Sequence, residues 1–440
     1  MKDLKYNLFF KTSVIFVMAL LLLIPAAMIE GLISERENRQ QDAVLEVSSK
    51  WGLEQTLSGP ILSIPYNRYI KQVSKKDSTE MIVQIKDYMH FLPDILKVEG
   101  SLQPEKRYRG IYEIVVYNSN VLFVGSFNSI NFKKFDIPIN DILFDKAFVS
   151  VGISDLKGIE KQIELNWNNE SLSFNPGIPT YDIVNSGINA DVMIEMNDKT
   201  AYNFEFNLDL KGSQLLHFIP VGKITDINLQ SEWMNPSFNG AFLPDSRTID
   251  KDGFKAHWNI LHLNRNYPQS WIGSSQSVNG SDFGVDLLLP VDNYQKATRT
   301  IKYAILFVAL TFMVFFFVEI LNKKFIHPIQ YILVGFALII FFSLLLAISE
   351  HLKFNYAFIL SAIATLLLIG AYVKAILKTN MLTFLLTGIL TILYTFIFVI
   401  IQLQDYALLI GSIGLFIILG LVMYFSRKID WYAINLEESN

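Results

Sequence analysis

Cysteine is absent from the 440 residues, which excludes disulfides, thiol nucleophiles, thiolate metal sites and a lipid-bearing cysteine. Any large soluble part must therefore be held together by its own core. An excess of one charge is also missing: 37 Lys and Arg against 41 Asp and Glu leave a formal net charge of −4. No basic field is available for nucleic acid. Catalytic motifs are lacking too, with no phosphate-binding loop, zinc-protease helix or serine elbow. Histidine is sparse, at six residues. Only His257 and His262 are near one another, and an odd separation in an alternating strand puts them on opposite faces. The run Gly273-Ser274-Ser275-Gln276-Ser277 reads as a turn. These absences lead to the expectation of a protein that is not an enzyme and needs no cofactor or metal.

Charge is nearly missing from Tyr303 to Phe425, and there the chain shows what it does contain. Five apolar runs, Tyr303–Leu321, Ile332–Ile348, Tyr356–Val373, Met381–Ile401 and Tyr406–Phe425, stand between short polar connections. A helix rising about 1.5 Å per residue needs roughly 20 apolar residues to cross a ~30 Å hydrocarbon layer, so each is a predicted span. The connections are too short for anything but antiparallel neighbours. Small residues four apart, Ser343/Ala347, Ala357/Ser361 and Ala407/Gly411, are predicted to let helices approach closely.

A sixth span is predicted near the N-terminus, where Lys2, Lys5 and Lys11 precede the apolar run Val14–Ile29. It is longer than a signal core and lacks a clean cleavage site, so it reads as an anchor. With it, Lys2, Lys5, Lys11, Lys323, Lys324, Lys374, Lys378, Arg427 and Lys428 gather on one side, and the opposite short loops carry only Lys353. The positive-inside rule then makes both termini cytoplasmic and the long segment between spans one and two extracytoplasmic.

That segment opens with a charged stretch, Ser34–Leu57, in which Val44, Val47 and Trp51 recur at helical spacing, and Gly59-Pro60 is expected to break the helix. The period then changes to two. Ile163/Leu165/Trp167, Val192/Ile194/Met196, Phe254/Ala256/Trp258/Ile260 and Tyr202/Phe204/Phe206/Leu208/Leu210 alternate with mostly polar residues, as half-buried strands do. Ile111–Tyr117, Val121–Phe127 and Phe283–Leu289 add further strands. The expected fold class is a membrane protein of α plus β type, with six transmembrane helices and a mostly antiparallel β-sandwich. The expected organisation is an anchor at 1–33, an extracytoplasmic β domain with an amphipathic helix at 34–300, and a five-helix bundle at 301–440. Pro290-Val291-Asp292 closes the domain and Asn293–Lys302 forms a short interfacial helix ahead of Tyr303.

The sequence resembles the CreD family of bacterial inner-membrane proteins, described as cell-envelope integrity proteins. The resemblance rests on Trp51-Gly52 with Gln55 and Gly59-Pro60; Arg109-Gly110-Ile111-Tyr112; and Trp233 with Pro236-Ser237-Phe238 and Gly240. It continues in Gly253-Phe254 with Trp258; Arg265 with Pro268-Gln269 and Trp271; and Pro290-Val291-Asp292 with Tyr294. Lys302-Tyr303, Glu319, His327-Pro328-Ile329-Gln330-Tyr331 and Ser349-Glu350-His351 complete it. These residues run from about Glu35 to Tyr372, and the last two spans match in hydropathy alone. The resemblance implies a multi-pass inner-membrane protein linked to envelope stress, often with a two-component regulator, and it implies no catalytic residues.

Ionisable groups in or beside lipid are costly and so are the candidate functional residues: Glu319, His327, Gln330, Glu350 and His351. Each also has a structural reading. Glu319 is spaced to pair with Lys323 on one helix face and to reach water, His327-Pro328 suits a helix start, and Glu350-His351 suits an exposed loop. The leading expectation is a non-enzymatic envelope-integrity protein. Its partners would be the lipid bilayer and other envelope proteins or peptidoglycan and lipid components. A transporter or lipid-handling protein and a membrane enzyme acting on envelope glycan or lipid are the alternatives.

Overall fold

A computed structural model describes residues 8–73, 80–128, 130–196, 200–287, 289, 293–322, 324–403 and 406–427. The chain forms two compact units, one of Met1–Gln41 with Val291–Asn440 and the other of Asp42–Pro290.

The first unit is helical. Its elements are α1 (Leu8–Leu21), most of α2 (Leu23–Trp51), α3 (Asn293–Lys302), α4 (Ala304–Leu321), α5 (Pro328–Ser349), α6 (Phe354–Leu377), α7 (Asn380–Gln402) and α8 (Ala407–Ser426). Among the described residues, six helices are long and apolar enough to cross a membrane, one near the N-terminus and five in the C-terminal part. Helix α5 is the most enclosed of them and α8 the least.

With no hydrophobic drive between helices in lipid, shape has to hold them. Phe307 of α4, Phe341 and Phe342 of α5, Phe358 of α6 and Tyr394 of α7 make one ring cluster, with Phe307 and Tyr394 centroids 4.7 Å apart. Close approach falls at Gly335, where an added Cβ would meet Leu22 Cδ1 at 2.2 Å. Of the small-residue pairs, Ala357/Ser361 is fully buried, whereas Ala347 is exposed and Gly411 faces open space. It is Gly414, against the Phe396 ring, that seats α8 on α7.

The second unit is a β domain of two mixed sheets, nine- and eight-stranded among the described residues. The centre of the larger is the strand Gln55–Val73, antiparallel to Glu80–Phe91 and Phe148–Ile153 and parallel to Leu215–Ile219. The smaller is built on the long hairpin Ile95–Arg109/Tyr112–Phe127, flanked by Tyr202–Ser213 and, in parallel, by Ile224–Ser231. One continuous core draws on both sheets, with Leu62, Val149 and Phe218 from one and Val98, Phe206 and Trp258 from the other. Burying each such side chain is worth about 1.5–3 kcal/mol. Packing two sheets face to face is how alternating strands hide their apolar side.

The structure differs from several local expectations. Helix α2 ends at Trp51, and Gly59-Pro60 lies inside the following strand as a cis bond at a register shift. The helix stops earlier because a Cβ at Gly52 would strike the Lys211 carbonyl at 2.6 Å, so the chain passes flush against another strand there. Ile111–Tyr117 and Val121–Phe127 are one strand, Tyr112–Phe127, since Asn118-Ser119-Asn120 keeps its ladder with Leu210 and its neighbours. Val192 and Ile194 are buried as alternation requires, but the strand there is Gly187–Asp191 and Met196 is exposed. His262 sits in a short helical turn after its strand, and the Ser275 amide and hydroxyl both bond the Ile272 carbonyl in a turn. Lys2, Lys5, Pro290-Val291-Asp292, Lys323 and Lys428 lie outside the described residues.

Candidate functional site

Glu319, in the last turn of α4, is buried at 8% exposure and does not reach water as its end-of-helix position suggests. Its carboxylate is paired with the Lys11 ammonium of α1, and it accepts from the Tyr331 hydroxyl at 2.9 Å and the Ile326 amide at 3.1 Å. Lys11 also donates to the Ile326 carbonyl at 3.0 Å and lies 4.4 Å from the Phe325 ring centroid. The group that balances the charge thus comes from 308 residues away. The polar reading of Glu319 was available from sequence, but Lys11 and Tyr331 were not, since only folding brings α1, α4 and α5 together.

His327 and Gln330 begin α5 as a capping box. The His327 Nδ1 accepts from the Ile329 amide, and the Gln330 Oε1 accepts from the His327 amide at 3.0 Å, with Pro328 in the first turn. They answer amides that would otherwise be unpaired at a helix start.

At the far end of α5, Glu350 is not a free loop residue. Its carboxylate is only 12% exposed and lies 3.6 Å from Arg36 of α2 and 3.4 Å from the Tyr294 hydroxyl of α3, while Asn293 donates to the Ser349 carbonyl at 2.7 Å. His351 is exposed beside it. Glu319 and Glu350 therefore mark opposite ends of one helix pair and are not brought together. Between them the polar content is thin: Thr311, Ser361 and Tyr394 hydroxyls are buried, and an apolar cavity of about 660 Å³ opens between α4, α7 and α8.

Sequence reasoning missed the polar groups of the β domain. His90, with no exposure, stands between Ser63 Oγ at 2.9 Å from Nδ1 and Asp182 Oδ2 at 3.1 Å from Nε2. Burial holds its pKa below the usual value despite Asp182, so the ring is neutral, giving to Asp182 and receiving from Ser63. Ser-His-Asp order alone does not make a nucleophile, and the Ser63 side chain is enclosed at 1% exposure.

His217 makes the opposite choice. Both ring nitrogens face carboxylates, Nδ1 to Asp282 at 3.1 Å and Nε2 to Asp286 at 2.9 Å, and only the imidazolium can donate to both. Burial works against that charge, but the hydrogen bonds to Asp286 and Asp282 outweigh it and raise the His217 pKa. Burial likewise opposes ionisation of Asp286, and His217 with Asn239 overcomes it and lowers that pKa. Gly284 sits opposite His217, and a Cβ there would come within 2.9 Å of the ring.

Arg265, one of the resemblance residues, is buried and donates to the carbonyls of Tyr267 and Val221 and to the side chain of Gln269. Gln269 in turn donates to the Pro93 carbonyl. Desolvation lowers the Arg265 pKa to about 10, so it stays charged as a fastener of loops.

A bundle of apolar helices whose buried Glu319 is paired with Lys11, in one chain with a β domain, defines a multi-pass membrane protein. A family model described as "Inner membrane protein CreD" matches residues 7–432, and the chain belongs to that family. It is 33% identical to Inner membrane protein CreD of Escherichia coli (strain K12) over 98% of this chain and 96% of the relative. Together these make it a multi-pass inner-membrane protein. Among solved structures, an M1 zinc metallopeptidase from Deinococcus radiodurans is similar over 38% of this chain and 38% of that chain at 5% identity. Its TM-score of 0.19 is too low to carry an argument.

Proposed function

We propose that this protein supports the bacterial cell envelope under stress through binding and structural contacts, without turnover of its own. In this reading both termini are cytoplasmic and the β domain is extracytoplasmic. The observation that carries it is the distribution of charge: between their end turns, α4 to α8 contain no Asp, Glu, Lys, Arg or His. A transport path needs polar groups at mid-depth, and Glu319 is already satisfied by Lys11, Tyr331 and the Ile326 amide. The orientation is supported by the cations, with Lys11, Lys324, Lys374 and Lys378 at one set of helix ends and Lys353 at the other. Against an enzyme stands the enclosed Ser63 hydroxyl.

A strain lacking the protein should grow normally in rich medium yet take up more hydrophobic dye and become more sensitive to detergent and β-lactam. The full chain should restore it and the β domain alone should not. Solute flux through purified protein in liposomes, abolished by Glu319→Gln, would overturn the reading.

A second reading, lipid handling, is favoured by the cavity between α4, α7 and α8, whose walls are apolar apart from Thr311 and Asn322. Phospholipid transfer between liposomes by the purified protein would select it.

A further inference from the structure

The outward face of the eight-stranded sheet holds two adjoining cavities of about 450 and 560 Å³. Both are lined by Ser101, Gln230, Thr248 and Lys255, so they form one trough. These sizes fall in the range of small-ligand sites.

The strand register explains the trough's lining. Thr248 lies opposite Lys255, Lys255 opposite Gln230, Gln230 opposite Ser101, and Ser101 opposite Asn120. Five neighbouring strands thus present one polar side chain each in a line across the sheet, at the inter-strand spacing of about 4.8 Å. Ser101, Gln230 and Thr248 make no side-chain hydrogen bond among the described residues, so their donors and acceptors remain open.

The charges around this line are partly answered, and the rest are of both signs, Arg247 and Lys255 against Glu232, Asp250 and Asp252. Asp226 faces His257 at 3.2 Å, Glu99 accepts from Asn228 at 2.9 Å, and Asp209 is paired with Lys161 at 2.8 Å. Neither an anionic nor a cationic polymer finds an unopposed field here. Lipid or an apolar peptide finds little in the trough either, because its outward lining positions are polar apart from Leu122, and the exposed Ile95, Ile224 and Leu261 lie at the far end of the face. What fits is an uncharged chain rich in hydroxyls and amides whose units repeat at about the strand spacing.

We propose that this trough binds a neutral glycan chain, with Thr248, Lys255, Gln230 and Ser101 facing successive sugars in that order. The proposal deepens the envelope reading above and rests on it for the location of the glycan. Its ladder of side chains is a property of the sheet alone.

The test uses the full chain in lipid nanodiscs, titrated calorimetrically with N-acetylglucosamine hexamer, cellohexaose and, as the rival class, polyglutamate. Saturable binding of either sugar is expected. Gln230→Ala should weaken it about tenfold, the loss of a well-made hydrogen bond, and Ser101→Trp should abolish it by filling the trough. The melting of both variants should match the parent. Failure of both sugars to saturate, indifference to both substitutions, or saturation by polyglutamate alone overturns the proposal. A deletion strain with a leaky envelope, paired with a protein that binds neither sugar, sinks the trough and leaves the envelope reading standing. A normal envelope with saturable sugar binding does the reverse.

Discussion

The bundle and the β domain both bury charged groups, and they pair them differently. In the bundle the ion pairs join helices across long stretches of chain, Lys11 to Glu319 and Arg36 to Glu350. In the β domain the pairs lie between adjacent strands, as with His217 and the two aspartates of its neighbour. A sheet already has its register set by backbone bonds and a core on one face. Apolar helices in lipid have neither, and a few polar contacts between them can select one arrangement among many of similar packing energy.

The largest effect separating the two regions should come from Glu319→Gln, which leaves the largely enclosed Lys11 without a counter-charge. Breaking one side of such a pair costs about 3–5 kcal/mol. The bundle should lose heat resistance in detergent while the β-domain transition stays in place, and adding Lys11→Met should recover most of the loss. An unchanged bundle would remove the distinction between the regions.

Gly284→Ala should do the converse. The new methyl meets the Leu216 carbonyl at 2.2 Å and the His217 ring at 2.9 Å, and overpacking of this kind costs about 1–3 kcal/mol. Only the β-domain transition should fall, read by denaturation of the full chain. A matching fall in the bundle would mean the units do not melt separately.

The smallest effect is the pH dependence of the His217 clamp. A His with a raised folded pKa contributes stability that is complete below its unfolded value and is lost as pH rises through the folded one. Asp286, with a lowered pKa, contributes stability that is lost as pH falls through its own folded value. The β-domain melting temperature should therefore sag on both sides of a mildly acidic optimum, and His217→Gln should flatten the alkaline side. His90, kept neutral by burial, should leave no such trace on that side.

Much of the architecture could be read directly. Tyr202 to Leu210 alternates so regularly that its strand follows from the period, and each C-terminal span falls within a few residues of its apolar run. Glu319 stands out in the sequence because carboxylates near lipid are rare. Helix α2 ends ahead of Gly59-Pro60 because the chain already runs against the Lys211 backbone at Gly52, and no local signal marks that approach. The Ser63–His90 pair depends on a hairpin register, and the glycan-reading line on five strands that are scattered from Ser101 to Lys255.

The sequence by itself determined the number of apolar spans, the presence of a β domain and the absence of any cysteine chemistry. Hydropathy and period belong to consecutive residues and need no knowledge of where the chain returns. The partner of Glu319, the charge state of His217, the enclosure of Ser63 and the polar line across the outer sheet were decided by the tertiary structure. Each depends on which distant segment lies alongside, and that follows from packing and strand register summed over the whole fold.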